Sequence, residues 1–255
     1  MNDLSAAAAS SAIRPGEPGT RRAQLIVPEP GLVRAWVEDN FHHFEIAIAH
    51  DGERVRKLEA TAHRWPWTTC PAAGVYLGER MQGARLADLG AVDSPFSHCT
   101  HMHDLALLAA AHAHDDAPLL YSSFASDQRQ PAQRAELRRN GRLVLSWSVR
   151  NDVVTSPDAA NGQSLRKLRD WSSSLPPDEA EMARVLRRCI FISGGRMFDY
   201  TATPRAAMIT ASAGACFTFQ PERAGTSALT MDMRELDGAC GPLDREIAQH
   251  PAVWN

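Results

Sequence analysis

The chain has 255 residues, of which 44% are hydrophobic and 22% charged, and a formal net charge of -3. This composition excludes an intrinsically disordered, collagen-like or disulfide-stapled chain, and the length allows one large domain or two small ones. No stretch approaches the ~18–20 uncharged apolar residues of a membrane span, and mild acidity supplies no basic footprint for nucleic acid.

Residues 1–20, rich in Ala, Ser, Pro and Gly, read as a disordered leader without the pattern of a secretion signal. An N-terminal α+β lobe is expected over residues 21–117. Within it Leu32 to Val37 reads as a strand, Phe44 to Ala49 alternates with period two, and Val55 to Ala62 resumes a strand after an Asp51-Gly52 turn. A helix is expected from Cys70-Pro71 towards Gln82, ended by Gly83, and a longer one from Cys99 to His114. The second α+β lobe, residues 118–255, opens with a strand from Leu119 to Ala125. Strands Gln133 to Arg138 and Leu143 to Val149 then flank Asn140-Gly141, and Val153-Val154 extends the sheet. Gly162 to Ser173 and Asp178 to Ser193 read as helices, Ala206 to Phe219 as one strand or a short helix, and the tail beyond Gly225 as loop-rich. The fold class is therefore α+β, with antiparallel hairpin sheets packed against helices.

The dinucleotide fingerprint, the phosphate loop ending in Gly-Lys-Ser/Thr and the Gly-x-Ser-x-Gly elbow are all missing from the sequence. Acid–base, thiol and metal chemistry remain. The densest cluster of reactive side chains is Ser97-His98-Cys99-Thr100-His101-Met102-His103-Asp104. Cys99 stands at a helix start, where the dipole and nearby histidines lower a thiol pKa. His101 and Asp104 share one helix face, and Cys99 and His103 another, as base and orienter or as metal ligands. Cys70 opens the other helix and is the natural partner of Cys99. Of the neighbours His42 and His43, only one can point inward from a strand. Trp65 and Trp67 are candidates to wall an apolar pocket, and Arg196, Arg205 and Arg223 to clamp a carboxylate. The cysteines, at positions 70, 99, 189, 216 and 240, are odd in number and irregular in spacing, which points to a reducing cytoplasm.

Phe41-His42-His43, Cys70-Pro71, Cys99-Thr100-His101, the Glu136-Leu137-x-x-x-Gly141-Arg142 hairpin and the stretch Ala183 to Arg196 together resemble a bacterial family known only as a domain of unknown function (number 2889). That resemblance spans roughly residues 25–225 and implies no activity. The N-terminal half is also similar to the NifU-like iron–sulphur scaffold and sulphur-acceptor fold. The strand, the Asp-Gly hairpin, Cys70 at one helix start, Gly83 after it and Cys99 at the next helix carry that similarity. It implies that Cys70 and Cys99 stand where two cluster-binding cysteines stand, with His98 as the histidine before the last one. The family's first cysteine would fall near residues 39–41, where this chain has none, so the implied set is Cys70, Cys99 and a histidine.

Together these readings lead us to expect a cytoplasmic enzyme acting on a small apolar or aromatic organic acid by proton transfer, of lyase or hydrolase type, without a nucleotide or redox cofactor. His101 or His103 is the expected base, Asp104 the orienter and Cys99 a reactive thiolate. Trp65, Trp67, Arg196 and His43 would hold substrate. Cys70, Cys99, His42 and His101 would hold a divalent metal, zinc or iron. A small-molecule substrate is the expected partner, with neither nucleic acid nor membrane, and a homo-oligomer is left open. The alternative is a non-enzymatic metal, iron–sulphur or persulfide scaffold.

Overall fold

A computed structural model describes residues 16–200, 202–230, 233–236 and 241–254. The fold is α+β, with antiparallel strands and several helices. The chain forms two compact units: residues 23–120, 199–235 and 242–255 make the first, and residues 1–22, 121–198 and 236–241 the second.

The first unit is built on β1 (Gly19–Glu29, from Ala23 onward), β2 (Leu32–Glu38), β3 (His43–His50) and β4 (Val55–Arg64), antiparallel in the order β4-β3-β2-β1. The register pairs Leu25 with Trp36, Ala35 with Ile46 and Ile46 with Ala60. Alternation in β3 places Phe44, Ile46 and Ile48 in the core, while Glu45 and Ala47 remain half-exposed. Asp51 holds the following turn by accepting from the amides of Glu53 and Arg54, and Gly52 takes the left-handed conformation there. Helix α1 (Ala72–Met81) packs on β4, and α2 (Thr100–Ala111) on β2 and β3. The approach of α1 depends on two glycines. A Cβ at Gly78 would stand 2.5 Å from the Leu58 carbonyl oxygen, and one at Gly74 2.9 Å from that of Ala60. A separate apolar cluster joins Ala23, Leu25, Val27 and Trp36 to Leu120, Leu243 and Val253.

The second unit carries β5 (Leu119–Ser126, from Tyr121), β6 (Gln133–Arg139), β7 (Arg142–Arg150) and β8 (Val153–Val154), antiparallel in that order. Asn140 and Gly141 both have positive φ, as the two-residue turn between β6 and β7 requires. Helix α4 (Pro177–Ser193) packs on β6 and β7 through Ala183, Leu186 and Ile190, and α3 (Leu168–Ser172) packs against α4.

Three local expectations are corrected. Strand β1 begins at Gly19, inside the stretch read as leader; residues 1–15 of that stretch lie outside the described residues. The helix expected over Gly162–Ser173 shortens to Leu168–Ser172, because Gly162 N and Leu165 N donate to Val154 O and Asp152 O beside β8 instead of to a preceding helical turn. Ala206 to Phe219 forms neither a strand nor an α-helix but three single turns of 3-10 helix. Among the described residues no helix is long and apolar enough to cross a membrane.

Candidate metal centre

The loop between β2 and β3 has a polar sequence, Glu38-Asp39-Asn40, yet all three residues are buried. Such burial is costly unless the charges and amides find partners, and of the Asn40 amide only Nδ2 has one, its Oδ1 being buried without a hydrogen bond. Asp39 Oδ1 accepts from the amides of Phe41 (2.9 Å) and His42 (3.0 Å), an Asx turn, while the Asp39 amide donates to His42 O (2.9 Å). The guanidinium of Arg64, at the end of β4, fills the loop. It donates to Asn40 O (2.7 Å), Asp39 O (2.6 Å) and Glu38 Oε1 (2.9 Å). Glu38 Oε2 accepts from the Leu243 amide (2.8 Å), and Asn40 exchanges bonds with the Arg234 backbone.

Thus fixed, the Asp39 carboxylate also meets an imidazole. His42 Nδ1 lies 2.9 Å from Asp39 Oδ1. His101, in the first turn of α2, stacks on His42 with ring centroids 3.7 Å apart and planes at 25°. Phe44 flanks both imidazoles, at 5.6 Å from His42 and 6.3 Å from His101. Asp39, His42 and His101 each offer one ligand atom, and these atoms lie within 4.8 Å of one another. Neighbouring ligands of a first-row ion, each about 2.0–2.2 Å from it, stand roughly 3 Å apart. The 2.9 Å separation of Oδ1 and Nδ1 therefore suits a shared ion as well as a shared proton. Two imidazoles and one carboxylate are a donor set for zinc or non-haem iron. Holding a proton instead, Asp39 and His42 are an orienter and base, with Nδ1 protonated and Nε2 available.

Of the sequence candidates, His42 and His101 come together, and the carboxylate that joins them is Asp39, not Asp104. Cys70 and Cys99 are not in this group; among the described residues no thiol completes a set with an imidazole at 4.8 Å. The two cysteines lie instead within electrostatic reach of each other and of Cys216. Their acidity runs opposite to the helix-start expectation. Burial pushes the Cys70 thiol up to about 11 and pushes Cys99 higher still, because the apolar surroundings outweigh the N-terminal amides.

His103 is buried on another side of α2, where its ring lies parallel to that of His98 at 5.1 Å. His98 in turn faces Tyr76 and has Nε2 3.7 Å from Asp93 Oδ2; burial pulls its pKa down to about 4. His43 points away from its neighbour, packing on His63 at 4.7 Å with Nε2 3.5 Å from Glu246, and burial lowers its pKa. Trp67 is buried with Cys70 in an apolar cluster that Trp65 and Tyr200 flank. Tyr200 is the link from that cluster towards the centre, 6.3 Å from Phe41, which is itself 6.1 Å from the His42 ring. Arg196 belongs to the second unit, where it donates to Asp127 through Nε and Nη2 at 3.0–3.1 Å.

The sequence reading missed Asp39 and Arg64. The usable signal for Asp39 was Asp-Asn after a strand, a turn former three residues before a histidine. No protein-family model matches this chain, and no curated protein sequence is significantly similar to it.

Proposed function

We propose that Asp39, His42 and His101 hold one divalent first-row metal ion, zinc or iron, and that the protein is an enzyme using this centre for proton-transfer chemistry of lyase or hydrolase type. The observation that supports it is the set of three ligand atoms within 4.8 Å, one of them on a carboxylate fixed by two backbone amides. An ion held there supplies a Lewis acid and an activated water. Asp39 sets the position of His42, and Phe44 and Phe41 keep an apolar boundary around the imidazoles. The substrate class is a small organic acid: an ion held by Asp39, His42 and His101 would polarise its oxygen, and the rings of Phe41 and Tyr200, 6.3 Å apart, offer its apolar or aromatic body a surface. A cytoplasmic location accords with the free thiols of Cys70, Cys99, Cys189 and Cys216.

A NifU-like character for the hairpin-and-helix part of the first unit belongs to the same proposal. Its support is the order β2, β3, β4, α1, α2, with Cys70 before α1 and Cys99 at the N-cap of α2. A persulfide scaffold has less support, since both thiols are buried in their protonated form. The test is elemental analysis of purified protein and of protein reconstituted with Zn2+ or Fe2+. One equivalent is expected in the wild type, and much less in Asp39→Asn, His42→Ala and His101→Ala, while His114→Ala retains it. Equal metal content in all five proteins would refute the centre.

A further inference from the structure

Leu243, in the first unit, has a φ of +60°. That left-handed conformation is strained for a bulky residue and persists only where the surroundings impose it. Here two contacts impose it. The Leu243 side chain is fully buried in the cluster of Ala23, Leu25, Val27 and Trp36. Its amide donates to Glu38 Oε2 at 2.8 Å, a bond that is itself buried. The chain that follows stays on the same cluster, where Ile247 and Val253 pack and His250 lies 6.3 Å from the Trp36 ring.

Glu38 passes this contact on. Its Oε1 accepts from Arg64 (2.9 Å), and the same guanidinium donates to Asp39 O (2.6 Å) and Asn40 O (2.7 Å). Arg234 makes a second tie, its amide donating to Asn40 O (2.9 Å) and its carbonyl accepting from Asn40 Nδ2 (2.7 Å). The C-terminal part of the first unit thus bonds residues 38 and 40, on both sides of Asp39. Between them hang the Phe41 and His42 amides that fix Asp39 Oδ1.

We propose that residues 242–253, with Arg234, are a latch for the centre of Asp39, His42 and His101, and that Leu243 is its positioning residue, acting on Asp39 through Glu38 and Arg64. Docked, the Leu243 amide holds Glu38, Glu38 holds the Arg64 guanidinium, and Arg64 holds the loop that carries two of the three ligands. Undocked, Glu38 exchanges a buried amide for water, Arg64 loses a fixed counter-charge, and the Asp39 and His42 ligand atoms drift apart. Displacing the segment therefore releases the ion. The release of metal rests on the function proposed above; the hold on the loop does not.

The test compares Val253→Ala, which loosens the latch at its far end, with Val55→Ala, the same truncation of a buried valine at the end of β4 remote from Arg64. In the metal-free full chain, exchange of the Phe41 and His42 amides followed by NMR should quicken about tenfold in Val253→Ala and less than about twofold in Val55→Ala. Zn2+ affinity should fall about tenfold in Val253→Ala alone. In a Glu38→Gln background Val253→Ala should weaken Zn2+ binding little further, because the route runs through Glu38. Unchanged exchange in Val253→Ala, equal quickening in both valine variants, quickened exchange with unaltered Zn2+ affinity, or additive losses with Glu38→Gln would each overturn the latch. A wild type that binds no Zn2+, with the expected exchange pattern, would refute the metal centre and uphold the hold on the loop.

Discussion

Replacing Arg64 with Met tests whether the β2–β3 loop is held from below by one buried cation. The substitution keeps most of the apolar stem and removes the donors to Asn40 O, Asp39 O and Glu38 Oε1. It strands Glu38, whose side chain is 6% exposed, with the Leu243 amide and Arg234 Nη1 at 3.4 Å as its remaining partners. Breaking a buried ion pair from one side costs about 3–5 kcal/mol, a large share of the roughly 5–15 kcal/mol that keeps a domain folded. With a urea slope of about 2 kcal/mol per molar, the unfolding midpoint followed by circular dichroism should fall by about 2 M. Arg64→Met/Glu38→Gln removes both charges and should lose at least about 1 kcal/mol less than the sum of the two single losses. Metal retention at Asp39, His42 and His101 should fall with the loop. A loss below about 1 kcal/mol in Arg64→Met, or strict additivity in the double variant, would refute the account of the loop.

Acidification should destabilise the first unit through His98. Its folded pKa, about 4, lies below the ordinary 6.5, so stability is complete above about pH 6.5 and declines as pH falls towards 4. The decline is at most about 3 kcal/mol, the size of that shift, and the half-buried Asp93 carboxylate 3.7 Å from Nε2 offsets part of the cost of the charge. Denaturation midpoints between pH 7 and 4 should therefore slope less in His98→Gln than in the wild type, and parallel slopes would count against it. Glu136, in β6, behaves oppositely. Its oxygens are buried without a hydrogen bond and its pKa is raised by desolvation, so the wild type is penalised as pH climbs above about 4.5. Glu136→Gln should gain on the wild type from pH 4.5 to 7, and a variant that loses ground over that range contradicts the reasoning. Gly78→Ala improves helix propensity by about 1 kcal/mol yet drives a Cβ onto the Leu58 carbonyl; thermal melting should show a net loss of about 1–2 kcal/mol, and a rise in midpoint would refute the close approach.

What was legible in the sequence was local. The period-two pattern of Phe44, Ile46 and Ile48 marks β3, and Asn140-Gly141 marks the β6–β7 turn, because both signals act within a few residues. Strand β1 was hidden since Leu25, Ile26 and Val27 are all buried, which leaves no alternation to read. Histidines 42 and 101 could be picked out as reactive, but their carboxylate could not, because the Asp39 side chain works through an Asx turn that also serves as an ordinary loop. The helix dipole gave the wrong sign for the thiols because sequence shows position on a helix, not the depth of burial beneath it.

The cluster that joins Ala23, Leu25, Val27 and Trp36 to Leu243 and Val253 has a consequence during synthesis. A nascent chain displays the early members of that cluster about 200 residues before the late ones leave the ribosome, a delay of roughly 10–40 s at about 5–20 residues per second. Throughout that interval the Trp36 face lacks its late partners, so this cluster closes only after residue 253 has been made.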